Sequence, residues 1–261
     1  MGRGSHFLLS ISIIFTLAYL LGFTLIDGPL QGNDTPLHVS YAKWFNENFP
    51  DIPHWYPLHG GGVSLLHGYP ILPHLMIVSV HRLTGLSIPQ TIRLISFLTI
   101  PLTAVGIYLL CCSLYRRQNL GLIAAVFFIL APVSWTWIHD WGFFPQQVGY
   151  VFLPLILLAF DRTERHYQNP RSSGRRRLWF VVLVLLVFVA ILCHVMVAAA
   201  ATVAIALFIF FSFLIAKRGK HRKNLLSSLK VLGLLGLTVG LLSAGYLVPF
   251  FNYGNVANRE G

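Results

Sequence analysis

LWFVVLVLLVFVAILCHVMVAAAATVAIALFIFFSFLIA, residues 178–216, runs for 39 residues without an Asp, Glu, Lys or Arg. A helix rises about 1.5 Å per residue, so roughly 20 apolar residues cross the ~30 Å hydrocarbon slab of a bilayer. The block is too long for one crossing and suits two, with a turn near His194. Helices are the expected spanning form, because each satisfies its own backbone hydrogen bonds in lipid.

Further apolar runs flank this block at His6–Ile26, Ile92–Leu114, Leu120–Trp137, Gln147–Phe160 and Val231–Phe251. The whole chain has 261 residues, is 56% hydrophobic and only 10% charged, with mean hydropathy +0.69. Soluble domains carry about 25% charged residues. The composition therefore predicts an all-α, polytopic membrane protein. The first run is too long for a signal-peptide core and no A-x-A-like cleavage site follows it, so it reads as an uncleaved span.

The net charge of +11 is explained by position. Basic residues gather at 115–118, 161–177 and 217–230, always beside apolar runs, which is the juxtamembrane pattern of the positive-inside rule. No aromatic interleaving or nucleic-acid motif accompanies them, so nucleic acid is not an expected partner. The bilayer is. Cys111, Cys112 and Cys193 lie inside apolar runs and read as small core residues, not as a disulfide or zinc framework.

Charge parity also settles the weak segment Ile71–Leu86, which is short and carries His74, His81 and Arg82. If it crossed, Arg116–Arg117 would face outward. If it lies along the outer surface, about seven spans result, with N-terminus inside and C-terminus outside. The three basic loops plus Arg3 then hold 15 of the 19 Lys and Arg residues on the cytoplasmic side. The chain thus reads as a single membrane domain, 1–261, with a long first extracytoplasmic loop, 27–91, containing juxtamembrane helices.

That loop carries most of the candidate chemistry. Thr35–Phe49 reads as a short helix with Thr35 as its N-cap. Asp34 lies at its N-terminal end, where a carboxylate can cap the helix or hold a cation or substrate hydroxyl. His38, His54, His59, His67 and His74 crowd together with Trp44, Trp55, Tyr56 and Tyr69. Their spacing lacks the close His pair on one helix face that a zinc site favours. The second outer loop, WTWIHDWGFFPQQ at 135–147, places His139 and Asp140 among Trp135, Trp137 and Trp141. Indole faces suit sugar rings and lipid headgroups alike. His194, at the outward turn of the long block, is costly at that depth unless it lines a cavity or satisfies the turn.

Gly32-x-Asp34-x-x-x-His38, Trp55, Gly61–Gly62 and Tyr69–Pro70 with Pro73 form a pattern across the loop. Arg93 opens the second span, Arg116–Arg117 ends it, LAPVSW follows at 130–135, and His194 comes later. Together these resemble the GT-C superfamily of membrane glycosyltransferases, most closely the family called 6-pyruvoyl-tetrahydropterin-synthase-related membrane domain. The resemblance covers essentially the whole chain through short motifs. It implies a seven-span module that transfers a sugar from a polyprenyl-phosphate carrier on the extracytoplasmic side of the cell membrane. By position, Asp34 and Asp140 would be its catalytic acids. His38, Arg82 and Arg93 would face the lipid phosphate, with Trp55, His139 and His194 as further substrate contacts. An aspartate in a partly desolvated site can act as general base on an acceptor hydroxyl.

Asn33–Asp34 replaces the expected D-x-D pair, so a divalent cation stays open as a cofactor. GT-C enzymes normally continue with more spans and an outer domain, so one expectation is that this is the N-terminal module of a longer protein. Two rival readings are a non-catalytic polytopic protein and a transporter of lipid-linked or envelope components. The near-absence of ionisable residues within the spans and of a visible repeat argues against the transporter.

Overall fold

The computed structural model describes residues 3–51, 55–57, 62–64, 70–167, 173–215 and 221–257. The protein is all-α, with one two-stranded ribbon among the described residues. In chain order, α1 is Arg3–Asp27, α2 Thr35–Asn48, β1 Trp55–Tyr56, β2 Val63–Ser64, α3 Leu72–Thr84 and α4 Ile88–Tyr115. Then come α5 Gln118–Leu130, α6 Pro132–Thr136, a π-helical turn Trp137–Trp141, α7 Phe144–Tyr150 and α8 Phe152–Tyr167. Finally α9 is Ser173–Cys193, α10 Val195–Ile215 and α11 His221–Ala257. The ribbon is antiparallel, pairing Trp55 with Ser64 and Tyr56 with Val63.

Among the described residues, five helical stretches are long and apolar enough to cross a membrane unaided: Gly4–Asp27, Ile88–Tyr115, Phe144–Tyr167, Ser173–Cys193 and Leu225–Gly245. The bent pair Gln118–Leu130 and Pro132–Trp141 makes a sixth, and the shorter apolar Val195–Phe211 brings the number near seven. Large apolar side chains such as Leu8, Phe127, Leu185, Phe211 and Leu241 stand exposed around the bundle. Such a surface belongs in lipid. This is a multi-pass membrane protein.

Contacts fix the relative directions of the helices. Phe7 meets Tyr108, and Tyr19 meets Phe97, so α1 and α4 run antiparallel. Val197 is the neighbour of Gly149, while Phe208 meets Phe160, so α10 descends alongside α7–α8. The chain therefore turns back at His194, the single residue between α9 and α10.

One end of the bundle carries the basic segments and a polar tie. Ser113 Oγ donates to Asp161 Oδ2 at 3.2 Å, and Arg165 Nε donates to Asp161 Oδ1 at 2.9 Å. Ser228 Oγ donates to Glu164 Oε1 at 2.5 Å, which joins α8 to α11. The opposite end carries α2, α3, the π-helical turn and His194.

α3 has 13 residues, about 20 Å of helix, which is too short to cross. It packs against α2 and α4 at the loop end. Its first turn contains Pro73, suited to helix starts, and Gly85 closes it at φ 73°. Ser87 and Gln90 then form a reciprocal capping box that starts α4.

Four expectations need correction. Residues 120–137 do not form one straight span: Pro132 cannot donate to the helix ladder, and the axis bends by 56°. The weakest expected run, 147–160 with room to extend back over Phe143–Pro145, does start at Phe144, but it continues past 160 to Tyr167, because Asp161, Glu164 and Arg165 find polar partners at the basic end. Much of 161–177 is accordingly helix rather than loop. Asp34, not Thr35, holds the cap position of α2, and its side chain makes no capping bond.

The turn before α2 and the turn after Trp141 are bound together through their backbones. Asn33 N donates to Asp140 O at 3.1 Å, and Asp34 N donates to Trp141 O at 3.0 Å. Gly32, at φ +96°, lies so close that a Cβ there would meet the Gly142 backbone at 2.5 Å. Gly32→Ala is therefore expected to destabilise by about 3 kcal/mol, combining left-handed strain with a backbone clash. Thermal unfolding in detergent, followed by tryptophan fluorescence, should show a clear drop in Tm. Gly233→Ala, where a Cβ meets nothing within 4 Å, should show none.

Candidate functional site

At the loop end a cleft of about 220 Å3 is lined by Asp34, His38, Pro70, Phe143, Gln146 and His194, among others. Its walls come from four separate parts of the chain. Asp34 and His38 belong to the start of α2, Pro70 precedes α3, Phe143 and Gln146 surround the start of α7, and His194 is the α9–α10 turn. The α2 helix holds Asp34 and His38 one turn apart, and the backbone clamp of Asn33 and Asp34 on 140–141 fixes their position.

His38 is 3% exposed and His74 is fully buried. Their rings meet through Nδ1 of His38 and Nε2 of His74 at 3.2 Å, and His74 Nδ1 lies 2.9 Å from Pro70 O. Aromatic rings enclose the pair: Tyr41, Phe45 and Phe144 lie within 5.6, 6.1 and 6.4 Å of the His74 ring centre. Burial, then the neighbouring His74, holds His38 down to about 3, against an upward pull from the Gly142 backbone. Burial holds His74 down to about 4. Both imidazoles are thus neutral at physiological pH. Burial and Tyr56 push the Tyr41 phenol up to about 12, so that ring is neutral as well.

A second cavity shares no lining residue with the first, but its Gln147 follows the cleft's Gln146 in the chain. It is an open, mainly apolar groove of about 400 Å3 between α4, the bent α5–α6 helix and α7–α8, lined by Thr99, Phe128, Trp137, Gln147 and Leu157 among others. Gln147 is 7% exposed, and neither its amide nitrogen nor its oxygen has a hydrogen-bond partner among the described residues. Gln147 also walls a cavity of about 20 Å3 with Arg93, Thr35 and Gly142, roughly the room of one water. Through that wall the groove adjoins the clamp that holds Asp34.

The expected site residues separate into groups. Asp34, His38 and His194 converge on the cleft. Arg93 donates to Gly28 O from α4 and faces the small cavity. Asp140 is exposed on the clamped turn, reached through its backbone oxygen, and does not line the cleft. His139 donates to Gln31 Oε1, another tie between the two turns. Arg82 lies elsewhere. Its Nε and Nη2 donate to Asn46 Oδ1 and O at 2.8 and 2.6 Å, and its guanidinium covers Phe49, holding α3 to the far end of α2. Trp55, 46% exposed on β1, packs over Gly62 and does not line the cleft.

His54, His59, His67, Gly61 and Tyr69 lie outside the described residues. Among the described residues no three His, Cys, Asp or Glu side chains stand close enough to hold a metal ion.

Three residues of the site were not anticipated. His74 was visible as a histidine interrupting an apolar stretch, a position that demands a partner, but its partner lies 36 residues away. Gln146 and Gln147 were read only as the edge of a span. Two adjacent amides at a helix start are a polar signal in such an apolar chain.

The lowered imidazole values have a consequence for stability. A group whose folded pKa is depressed stabilises the fold above its unfolded value, near 6.5 for histidine, and loses that contribution as pH falls toward the folded value. Each of His38 and His74 should therefore cost about 2 kcal/mol at pH 5 relative to pH 7.5. Unfolding temperatures in detergent should fall between pH 6.5 and 5, and His74→Gln should remove about half of that acid sensitivity.

A search of curated proteins finds no match for this chain, and neither does a search of solved structures. One family model spans residues 6–258, nearly the whole chain, and the protein belongs to that family, the family of unknown function DUF6541.

Proposed function

We propose that this protein is a GT-C-like glycosyltransferase, or the N-terminal module of one, using a polyprenyl-phosphate-linked sugar on the extracytoplasmic side of the cell membrane. The observation that carries this reading is the convergence of Asp34, His38 and His194 on one polar cleft, with an apolar groove that starts at Gln147, next to the cleft's Gln146. The cleft lies at the bundle end opposite the basic segments, which the positive-inside rule assigns to the cytoplasm.

In this reading the Asp34 carboxylate takes the hydrogen of an acceptor hydroxyl. The hydroxyl oxygen bonds to the anomeric carbon as the bond from that carbon to the phosphate oxygen breaks. The lipid phosphate leaves with the bonding electrons. Asp34 is suited to this because its side chain is not spent on capping α2, although it stands at the positive end of the helix dipole. Asp140, exposed on the adjoining turn, serves the water-facing side of the acceptor. Arg93 shares a small cavity with Gln147, which lines the groove, and takes the phosphate charge. The neutral His38 is unsuited to that role, and Arg82 is committed to Asn46. The groove takes the isoprenoid chain, with the Gln147 amide at the junction.

Profiling of glycans and lipid-linked sugars should show the sugar-loaded carrier accumulating in cells carrying Asp34→Asn, with transfer reduced about 100-fold or more. An unchanged profile at normal protein level would remove Asp34 from the mechanism. Orientation is checked separately with a membrane-impermeant maleimide on intact cells. A cysteine placed at Asp51 should label and one placed at Ser172 should not; the reverse pattern puts the cleft in the cytoplasm.

A further inference from the structure

The polar tie at the basic end of the bundle leaves that end with a surplus of positive charge. Asp161 is spent on Ser113 and Arg165, and Glu164 accepts from Ser228. The other acids are Asp27, Asp34, Glu47, Asp51 and Asp140 toward the loop end, and Glu260 outside the described residues. Around the tie stand Arg116 and Arg117 on the α4–α5 turn, Arg162 on α8, Arg175, Arg176 and Arg177 in the first turns of α9, and Lys230 on α11. None of these cations has an ion-pair partner among the described residues, where Arg165–Asp161 is the one such pair.

The segments that carry them are in contact. Arg165 Nη2 donates to Ser113 O at 3.3 Å, which joins the end of α4 to α8. The Arg176 guanidinium lies 5.1 Å from the centre of the Tyr167 ring, which joins α8 to the start of α9. Three arginines near a helix start also oppose the positive end of the helix dipole. Like charges gathered in this way repel one another unless an anion from outside lies against them.

The face of α9 that follows the arginines says what kind of anion fits. Arg175, Leu178, Val181 and Leu185 recur every three or four residues, so they share one side of the helix. Arg175 is exposed, and the three apolar side chains are exposed at 61, 53 and 54%. A cation thus tops an apolar stripe that none of the described helices covers. Half-buried Trp179 and Tyr167 and exposed Tyr115 flank the same arginines, and such rings favour the headgroup boundary of a bilayer.

We propose that the basic end binds an anionic phospholipid, with the headgroup phosphate on the Arg175–Arg177 cluster and an acyl chain along Leu178, Val181 and Leu185. Arg116, Arg117 and Lys230 add to the field that draws the headgroup in. Guanidinium groups suit a phosphodiester because they meet it with paired N–H donors. Free phosphate satisfies the arginines and leaves the stripe bare, while a zwitterionic phosphatidylcholine brings a cation of its own. A chain-bearing lipid of net negative charge satisfies both. This surface lies at the opposite end of the bundle from the cleft, so its test is independent of the transferase reading.

Native mass spectrometry from micelles holding equal amounts of phosphatidylglycerol and phosphatidylcholine should show phosphatidylglycerol retained on the protein in preference. The combined variant Arg175→Gln, Arg176→Gln and Arg177→Gln should weaken that preference roughly 100-fold, at about fivefold for each arginine near the lipid surface. Lys43→Gln, which removes an exposed cation of α2 at the loop end, should leave it unchanged. If the combined variant does not fold, Arg175→Gln and Arg177→Gln singly, at exposed positions, should each weaken it about fivefold. Equal retention of the two lipids overturns the proposal, and so does a preference that survives the arginine substitutions. Inorganic phosphate added to the micelles should not displace the lipid. Displacement by phosphate at matching concentration would mark a simple anion site and overturn the assignment to phospholipid.

Discussion

The backbone clamp between the turn at 32–34 and the turn at 140–142 is the constraint on which the rest of the loop end depends. At a membrane boundary, irregular backbone is tolerated only where its polar groups are satisfied by protein or water. Here two turns satisfy each other: Asn33 N bonds Asp140 O, and Asp34 N bonds Trp141 O. Glycines at 32 and 142 remove the side chains that would hold them apart. The π-helical turn Trp137–Trp141 follows from the break at Pro132, which tips the helix toward the first loop. A proline in a span and a glycine 100 residues earlier thus combine to set Asp34 at the mouth of the cleft.

Once that clamp is in place, burial separates the polar groups by charge. The imidazoles of His38 and His74 sit among aromatic rings and stay neutral. Arg93, on the other side of the clamp, gives one hydrogen bond to Gly28 O, while its Nε has no partner among the described residues. Asp34 stands half-buried between them. Acceptors therefore gather in the cleft and the cation lies toward the groove.

The bundle was legible because lipid imposes a strong, local signal. The 39-residue block at 178–216 had to be two spans, and the segment Ile71–Leu86, too short and too polar to cross, holds the helix Leu72–Thr84 that packs on α2 and α4. The turn near His194 was expected where the block carries its one ionisable residue. What remained hidden depended on contacts between distant segments. The continuation of α8 to Tyr167 rests on partners for Asp161 and Glu164 that come from Ser113 and Ser228. The commitment of Arg82 to Asn46 and the pairing of His38 with His74 each span 36 residues. Residue type showed that these side chains needed partners; only the packing of α3 on α2 decided which ones. Asp34 was legible as a position but not as a geometry. Its expected capping role failed because the φ/ψ values at the cap position are helical, which turns the carboxylate away from the first-turn N–H groups.

Gln147 links the two cavities in a way that neither suggests alone. An amide left without partners in an apolar wall costs several kcal/mol, and a ligand group that hydrogen-bonds Gln147 would relieve that cost. The groove offers a chain roughly 16 Å of wall along α4 between Thr99 and Leu110, while the cavity behind Gln147 has room for about one water. The distance a ligand must bridge from groove to cleft is set by the thickness of the backbone clamp, two turns of backbone held apart by no side chain at Gly32 or Gly142. That thinness is what would let one molecule use both sites at once.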